Sequence, residues 1–171
     1  MMKTLYLLIF LPILGMANIQ EQAESAISEF YSDAQIRFEK YEIPKALKSE
    51  IEKKAGQYFI KDFVYLWKVE QNGTVTAHAI VDAVRSKSAF ITALILIDSH
   101  GQIEQLSILD YQGNHGRQVM NLLWLEQFTG KTATSNLTLG SEIDAVSGAT
   151  LSAASICKAV KRWCLVVESF R

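Results

Sequence analysis

Asp144, Ser147, Gly148 and Thr150 crowd into seven positions just ahead of the last amphipathic stretch of the chain. Asp144 and Ser147 carry short oxygen-bearing side chains suited to capping exposed backbone donors, and Gly148 lets the backbone turn and approach another group closely. Beyond them Ile156, Ala159, Val160, Trp163 and Val167 recur at helical spacing, with Ser152, Ser155, Lys158 and Arg162 read onto the opposite, polar side. The pattern predicts a loop that becomes a helix, with Thr150 presenting its hydroxyl in the first turn. Free N–H groups and the positive end of the helix dipole favour a phosphate there. The plainer reading of the same residues is an ordinary helix start capped by Ser147, with Gly148 as its turn residue.

Other chemistry is sparse. Cys157 and Cys164 are predicted on one helix seven residues apart, about 10 Å at the α-helical rise, which a disulfide does not span. The sequence holds no Cys-x-x-Cys, haem-attachment or cysteine–histidine metal spacing, so no metal ligand is assigned. It also holds no glycine-rich phosphate loop, no defensible Ser-His-Asp order and no paired carboxylates with a plausible pocket, so no catalytic residue is assigned. His78, without a second ligand at metal spacing, is read as a surface or sheet-packing residue.

The elements that must position Thr150 follow from composition and period. At 171 residues and 49% hydrophobic the chain supports one domain with a substantial core. Lysine plus arginine number 17 against 18 aspartate plus glutamate, a balance with no nucleic-acid footprint. Met1-Met2-Lys3, an apolar run and Gly15-Met16-Ala17 read as a signal peptide over residues 1–17, too short for a bilayer span and cleaved after Ala17. The protein is therefore expected outside the cytoplasmic membrane, in the periplasm or on the membrane's outer side.

Residues 18–55 are read as a helical segment, with one helix over residues 20–40 and a second from Pro44 to Gly56, covering a sheet face or meeting a partner. From residue 59 the period becomes two, and Asn72-Gly73 supplies the turn of a β-hairpin. Residues 89–97 form a nearly continuous apolar strand, and Ile103, Leu106 and Ile108 mark a return strand. Four or more strands joined by short turns imply an antiparallel sheet packed with helices, an α+β fold. A loop over residues 110–116 leaves the backbone uncluttered at Gly113 and Gly116, room for a planar ring. A single helix over residues 117–128 then buries Val119, Leu122, Leu123 and Phe128, with Trp124 read as core packing or as lining the same pocket.

Asp144-Ala145-Val146-Ser147-Gly148-Ala149-Thr150 as a string resembles the flavinylation motif of the FMN-binding domain family, found in periplasmic flavoprotein subunits of the Rnf and sodium-pumping quinone reductase complexes. Residues 81–87, the strand ending at Asp98-Ser99-His100-Gly101, and Trp124-Leu125-Glu126-Gln127-Phe128-Thr129-Gly130-Lys131 look like further blocks in the family's order. The resemblance runs from about residue 56 to 163, so residues 56–171 are read as the FMN-binding domain. At residues 110–116 the chain departs from the Glu-Thr-Pro-Gly of the Rnf and quinone-reductase members.

The resemblance implies an extracytoplasmic electron carrier with FMN held as a phosphoester on Thr150, installed by a flavin transferase and serving membrane redox partner proteins. Gly148 and Ala149 would leave space for the phosphate, Ser147 would lie beside it, and Asp144 would shape the loop or be recognised by the transferase. Gly113, Gly116 and Trp124 would lie near the ring, and Lys131 would offset phosphate charge. A component of a flavin-dependent reductase acting on a small acceptor, or a non-redox binding or assembly module, are the other readings the sequence leaves open.

Overall fold

The computed structural model describes residues 14–87 and 89–171. The expected leader lies mostly outside these residues. The first described helix, α1 (Leu14–Phe30), runs across the expected cleavage position. Five strands follow one another in a single antiparallel sheet: β1 (Gln35–Glu42), β2 (Phe63–Gln71), β3 (Thr74–Arg85), β4 (Ala89–Asp98) and β5 (Ile103–Gly113). Between β1 and β2 lies α2 (Lys45–Ala55), and after β5 come the short α3 (Leu122–Leu125) and the long α4 (Thr150–Glu168). An antiparallel sheet packed with helices is the α+β architecture that the periodicity predicts.

Local chemistry explains the best-defined elements. Asn72 and Gly73 both adopt positive φ, 52° and 75°, the conformation that a two-residue hairpin turn needs to match strand twist. Gly56 closes α2 in the left-handed region, its N–H donating to the Glu52 carbonyl. The unbroken apolar run of β4 reflects burial on both faces. Ile91, Ala93 and Ile95 belong to the cluster that also holds Ile51 of α2 and Ile156, Val160 and Trp163 of α4. Leu94 and Leu96 face the other way, against Trp67, Val69, Ala77 and Ala79, and this second layer is closed by Ala23 and Ile27 of α1. Ile27 is fully buried, worth about 2 kcal/mol of transfer free energy.

Several expectations change. The helix read over residues 20–40 stops at Phe30, the chain turns at Ser32 and Asp33, and residues 35–42 become edge strand β1. Pairing decides this: Phe38 stands opposite Trp67 and packs on its ring at 5.0 Å, a contact that helical spacing within the segment cannot anticipate. The loop expected from residue 110 begins later, because β5 pairs with β4 as far as Gly113, opposite Ala89.

The single helix over residues 117–128 is three short pieces: a 3₁₀ turn (Arg117–Met120), α3, and a second 3₁₀ turn (Glu126–Phe128). Asn121 breaks it with extended backbone at ψ 124°, and its side chain accepts from the Trp124 N–H as a cap. The break resets the helical phase. Val119, Trp124, Leu125 and Phe128 turn inward, while Leu122 and Leu123, expected in the core, are 72% and 74% exposed.

His78 is a sheet-packing residue, its ring 5.4 Å from that of Phe170. Among the described residues no helix is long and apolar enough to cross a membrane.

Candidate functional site

The seven-residue string folds as a turn followed directly by α4. The Ala149 N–H donates to the Val146 carbonyl at 3.0 Å, closing a β-turn whose third residue is Gly148. Gly148 sits there at φ 75°, a conformation costly for any residue with a side chain. A Cβ at Gly148 would also press to 3.3 Å from Nε2 of Gln118. Glycine thus serves both the turn and the approach of residue 118.

α4 starts without a side-chain cap. Ala149, not Ser147, occupies the cap position, and no acidic residue lies in the first turn. Thr150 is the first helical residue and is exposed. Its Oγ1 donates to the Val146 carbonyl at 3.4 Å, the long end of hydrogen bonding and easily surrendered. An exposed hydroxyl at the uncapped, electropositive end of a 19-residue helix is chemically suited to carry a phosphate. Ser147 and Asp144 are exposed on the turn, while Ala149 is buried under it.

Around this turn the fold builds two restraints. The first comes from the 117–128 segment: Trp124 Nε1 donates to the Asp144 carbonyl at 2.9 Å, and the Asp144 N–H donates to Gln127 Oε1 at 2.8 Å. Trp124 is 6% exposed and packs edge-on against Phe128 at 5.3 Å, so its indole pins the Asp144 backbone from within the core.

The second restraint lies beneath the first turn of α4. Ser152 was read as part of the polar side, yet it is 1% exposed, with its hydroxyl 3.0 Å from that of Tyr111 and 3.3 Å from that of Ser86. The Tyr111 hydroxyl in turn donates to the His115 carbonyl. Gly116 closes over this cluster at φ 91°, where a Cβ would meet the Tyr111 hydroxyl at 2.6 Å and the Ser152 hydroxyl at 2.7 Å. The space beside Gly116 is thus filled by the protein's own hydroxyls. The sequence signal for this clamp was available in Gly116 alone, because Tyr111 and Ser152 meet only through the fold.

The remaining residues are placed apart. Gly113 is the extended last residue of β5. Lys131 pairs with Glu142 at 2.8 Å, and its carbonyl accepts from the Ile103 N–H at the opposite end of β5 from Gly113. Ten residues of strand, about 33 Å, separate those ends, so Lys131 is not brought to the loop at Gly113 and Gly116.

Arg162, also read as polar-side, is 1% exposed. Its guanidinium donates to Asp82 of β3 at 2.8 Å and to the Tyr58 carbonyl, and stacks over Phe59 at 4.3 Å. Trp163 Nε1 donates to the same carboxylate at 3.0 Å. Burial lowers the Arg162 pKa while Asp82 opposes the shift. This buried network fixes α4 against β3.

Cys157 and Cys164 are buried free thiols, and burial pushes each up to about 12, which leaves them protonated and unreactive at neutral pH. Among the described residues no cluster of histidine, cysteine, aspartate or glutamate is arranged to hold a metal ion.

Comparison with known proteins gives a consistent picture. Residues 87–164 match the FMN-binding domain family, a span from the start of β4 through most of α4 that includes the Gly116 clamp and Thr150. The fold is similar to the crystal structure of NqrC from Shewanella oneidensis, with a TM-score of 0.56 at 15% identity over 79% of this chain and 80% of that one. Among curated proteins none matches the chain.

Proposed function

We propose that this chain, in which residues 87–164 form an FMN-binding domain, is an extracytoplasmic electron carrier holding FMN as a phosphoester on Thr150. The observation that carries this reading is the exposed Thr150 hydroxyl at an uncapped helix start, where the Gly148 turn and the absence of first-turn acids favour a phosphate. FMN, when bound, supplies reversible redox chemistry at its isoalloxazine ring. The protein supplies position and electrostatics. Thr150 provides the ester oxygen, the free N–H groups of the first turn face the phosphate, and the helix dipole stabilises its charge by about 0.3–1 kcal/mol. A covalent link also prevents loss of the cofactor where it is not readily replaced.

The geometry explains why such a threonine suits enzymatic modification. It is reachable from solvent on a turn that Trp124, Gln127 and the Tyr111–Ser152 clamp hold in place, so a flavin transferase meets a preformed substrate loop. We assign maturation to such a transferase and electron exchange to redox proteins at the membrane, with residues 1–17 directing export. Intact mass of exported protein, produced with and without a flavin transferase, tests the reading. An added mass of one FMN moiety only when the transferase is present is the expected result. Unmodified protein under both conditions would overturn it.

A further inference from the structure

A groove of about 430 Å³ runs between the end of α2, the first half of α4 and the stretch 135–139. Ala55, Leu137, Leu139 and Ala154 give it apolar walls, and Lys158 and Lys161 line it beside them. Lys158 is exposed, and Lys161 donates one hydrogen bond to the Ser135 carbonyl at 3.3 Å. No acidic residue lines the groove, and among the described residues neither lysine is in an ion pair. Lysines nearby are matched: Lys54 of α2 meets Glu50, and Lys131 meets Glu142. Two cations beside an apolar wall are thus left without an anion from the described chain.

The backbone of the same wall is unmatched too. Residues 136–138 have no regular secondary structure, and among the described residues the N–H groups of Asn136, Leu137 and Thr138 donate to no acceptor.

We infer that this groove docks a short extended segment of a partner protein in which acidic and apolar side chains stand side by side. Charge complementarity sets the sign of the occupant, since both charged groups of the groove are cations. The walls set the rest. A bare inorganic anion would meet the lysines and leave the apolar surface in water, whereas a peptide covers both. Its carbonyls can also accept from the unmatched N–H groups, the main-chain pairing by which extended peptides add to a protein surface. Ala154 and Lys161 lie about 10 Å apart along the helix axis, the span of about three extended residues.

The groove starts one helical turn beyond Thr150. A partner held there stands beside the position that the proposed function gives to FMN, while docking itself requires no flavin.

The test uses a fluorescein-labelled peptide that sets leucines between glutamates, about six residues long so that it overhangs the groove. Its anisotropy is followed against full-length protein, both loaded wild type and flavin-free Thr150→Ala. A second peptide has glutamine in place of each glutamate. The double variant Lys158→Gln with Lys161→Gln removes the charge, and Ala154→Leu fills the groove from a partly exposed helical position. Urea unfolding of each variant checks that the fold is kept.

Saturable binding of the acidic peptide to both loaded and flavin-free protein is expected, weakening as salt is added. The lysine pair should weaken it about tenfold, and Ala154→Leu should weaken it as well. Backbone amide resonances of residues 136–138 should shift during titration. No saturable binding below about 1 mM, equal binding of the glutamine peptide, or binding indifferent to both variants would overturn the inference. Displacement by inorganic phosphate at matched ionic strength would give the lysines to a free anion, and lysine-dependent self-association would give the groove to a second copy; either result overturns the peptide. Peptide binding in protein whose Thr150 carries no flavin even with a transferase would overturn the proposed function and leave the docking groove standing.

Discussion

The start and the middle of α4 meet opposite surroundings. At its start Thr150 is exposed, uncapped and held by one hydrogen bond of 3.4 Å. About three turns further on, Arg162 and Trp163 are buried and converge on Asp82, with donor distances of 2.8 and 3.0 Å. The contrast separates two jobs that one helix performs. Its middle fixes where the helix lies, through interactions whose loss leaves a charge stranded in the core. Its first turn presents a hydroxyl whose removal disturbs almost nothing. An exposed hydroxyl is thereby held still by structure some way off.

Perturbing the buried network should have the largest effect on stability. Asp82→Ala leaves the Arg162 guanidinium buried without its carboxylate, and a loss of about 3–5 kcal/mol is expected in urea unfolding. A loss below about 1 kcal/mol would mean that the pair does not anchor α4.

Perturbing the clamp beside the first turn should cost less. Gly116→Ala forces a side chain into φ 91° and against two hydroxyls, for an expected loss of about 1–3 kcal/mol in the same assay. Tyr111→Phe removes only the hydroxyl that links Ser152 to the His115 carbonyl, about 1 kcal/mol. If Gly116→Ala were neutral, the close packing of that loop on α4 would be disproved.

A smaller effect is expected with pH. Burial holds His78 below its ordinary pKa, with Lys68 adding to the shift and Glu39 opposing it. Because the unfolded chain takes up the proton first, stability should fall as pH drops below about 6.5 and level off below the folded pKa. His78→Gln should flatten that part of the stability profile. An unchanged slope would assign the acid sensitivity to other groups.

Which parts were legible in the sequence follows from the range of the forces involved. The β2–β3 hairpin and the course of α4 are written in local terms, Asn72-Gly73 and a helical apolar spacing, and they were read directly. Edge strand β1 was read as helix because Phe38 takes its conformation from Trp67, 29 residues away in the chain. Leu122 and Leu123 were read as core because a continuous helical phase was assumed through Asn121, whose capping bond breaks it. Ser152 and Arg162 look polar on a helical wheel and are buried only because Tyr111 and Asp82 arrive to satisfy them. The turn and helix start at Thr150 were legible because a glycine and a helical period are local signals. The clamp was not, since it is assembled from segments distant in sequence.

The most direct measurement is fragment mass spectrometry of the peptide spanning residues 132–158 from protein made with a flavin transferase, comparing wild type, Ser147→Ala, Ser152→Ala and Thr150→Ala. The account predicts an FMN adduct on Thr150 in wild type, with the acceptor still present in both serine variants. Thr150→Ala should carry no covalent flavin, while its unfolding free energy stays within about 0.5 kcal/mol of wild type, as expected for an exposed helix-start position. Covalent flavin persisting in Thr150→Ala would contradict the central assignment.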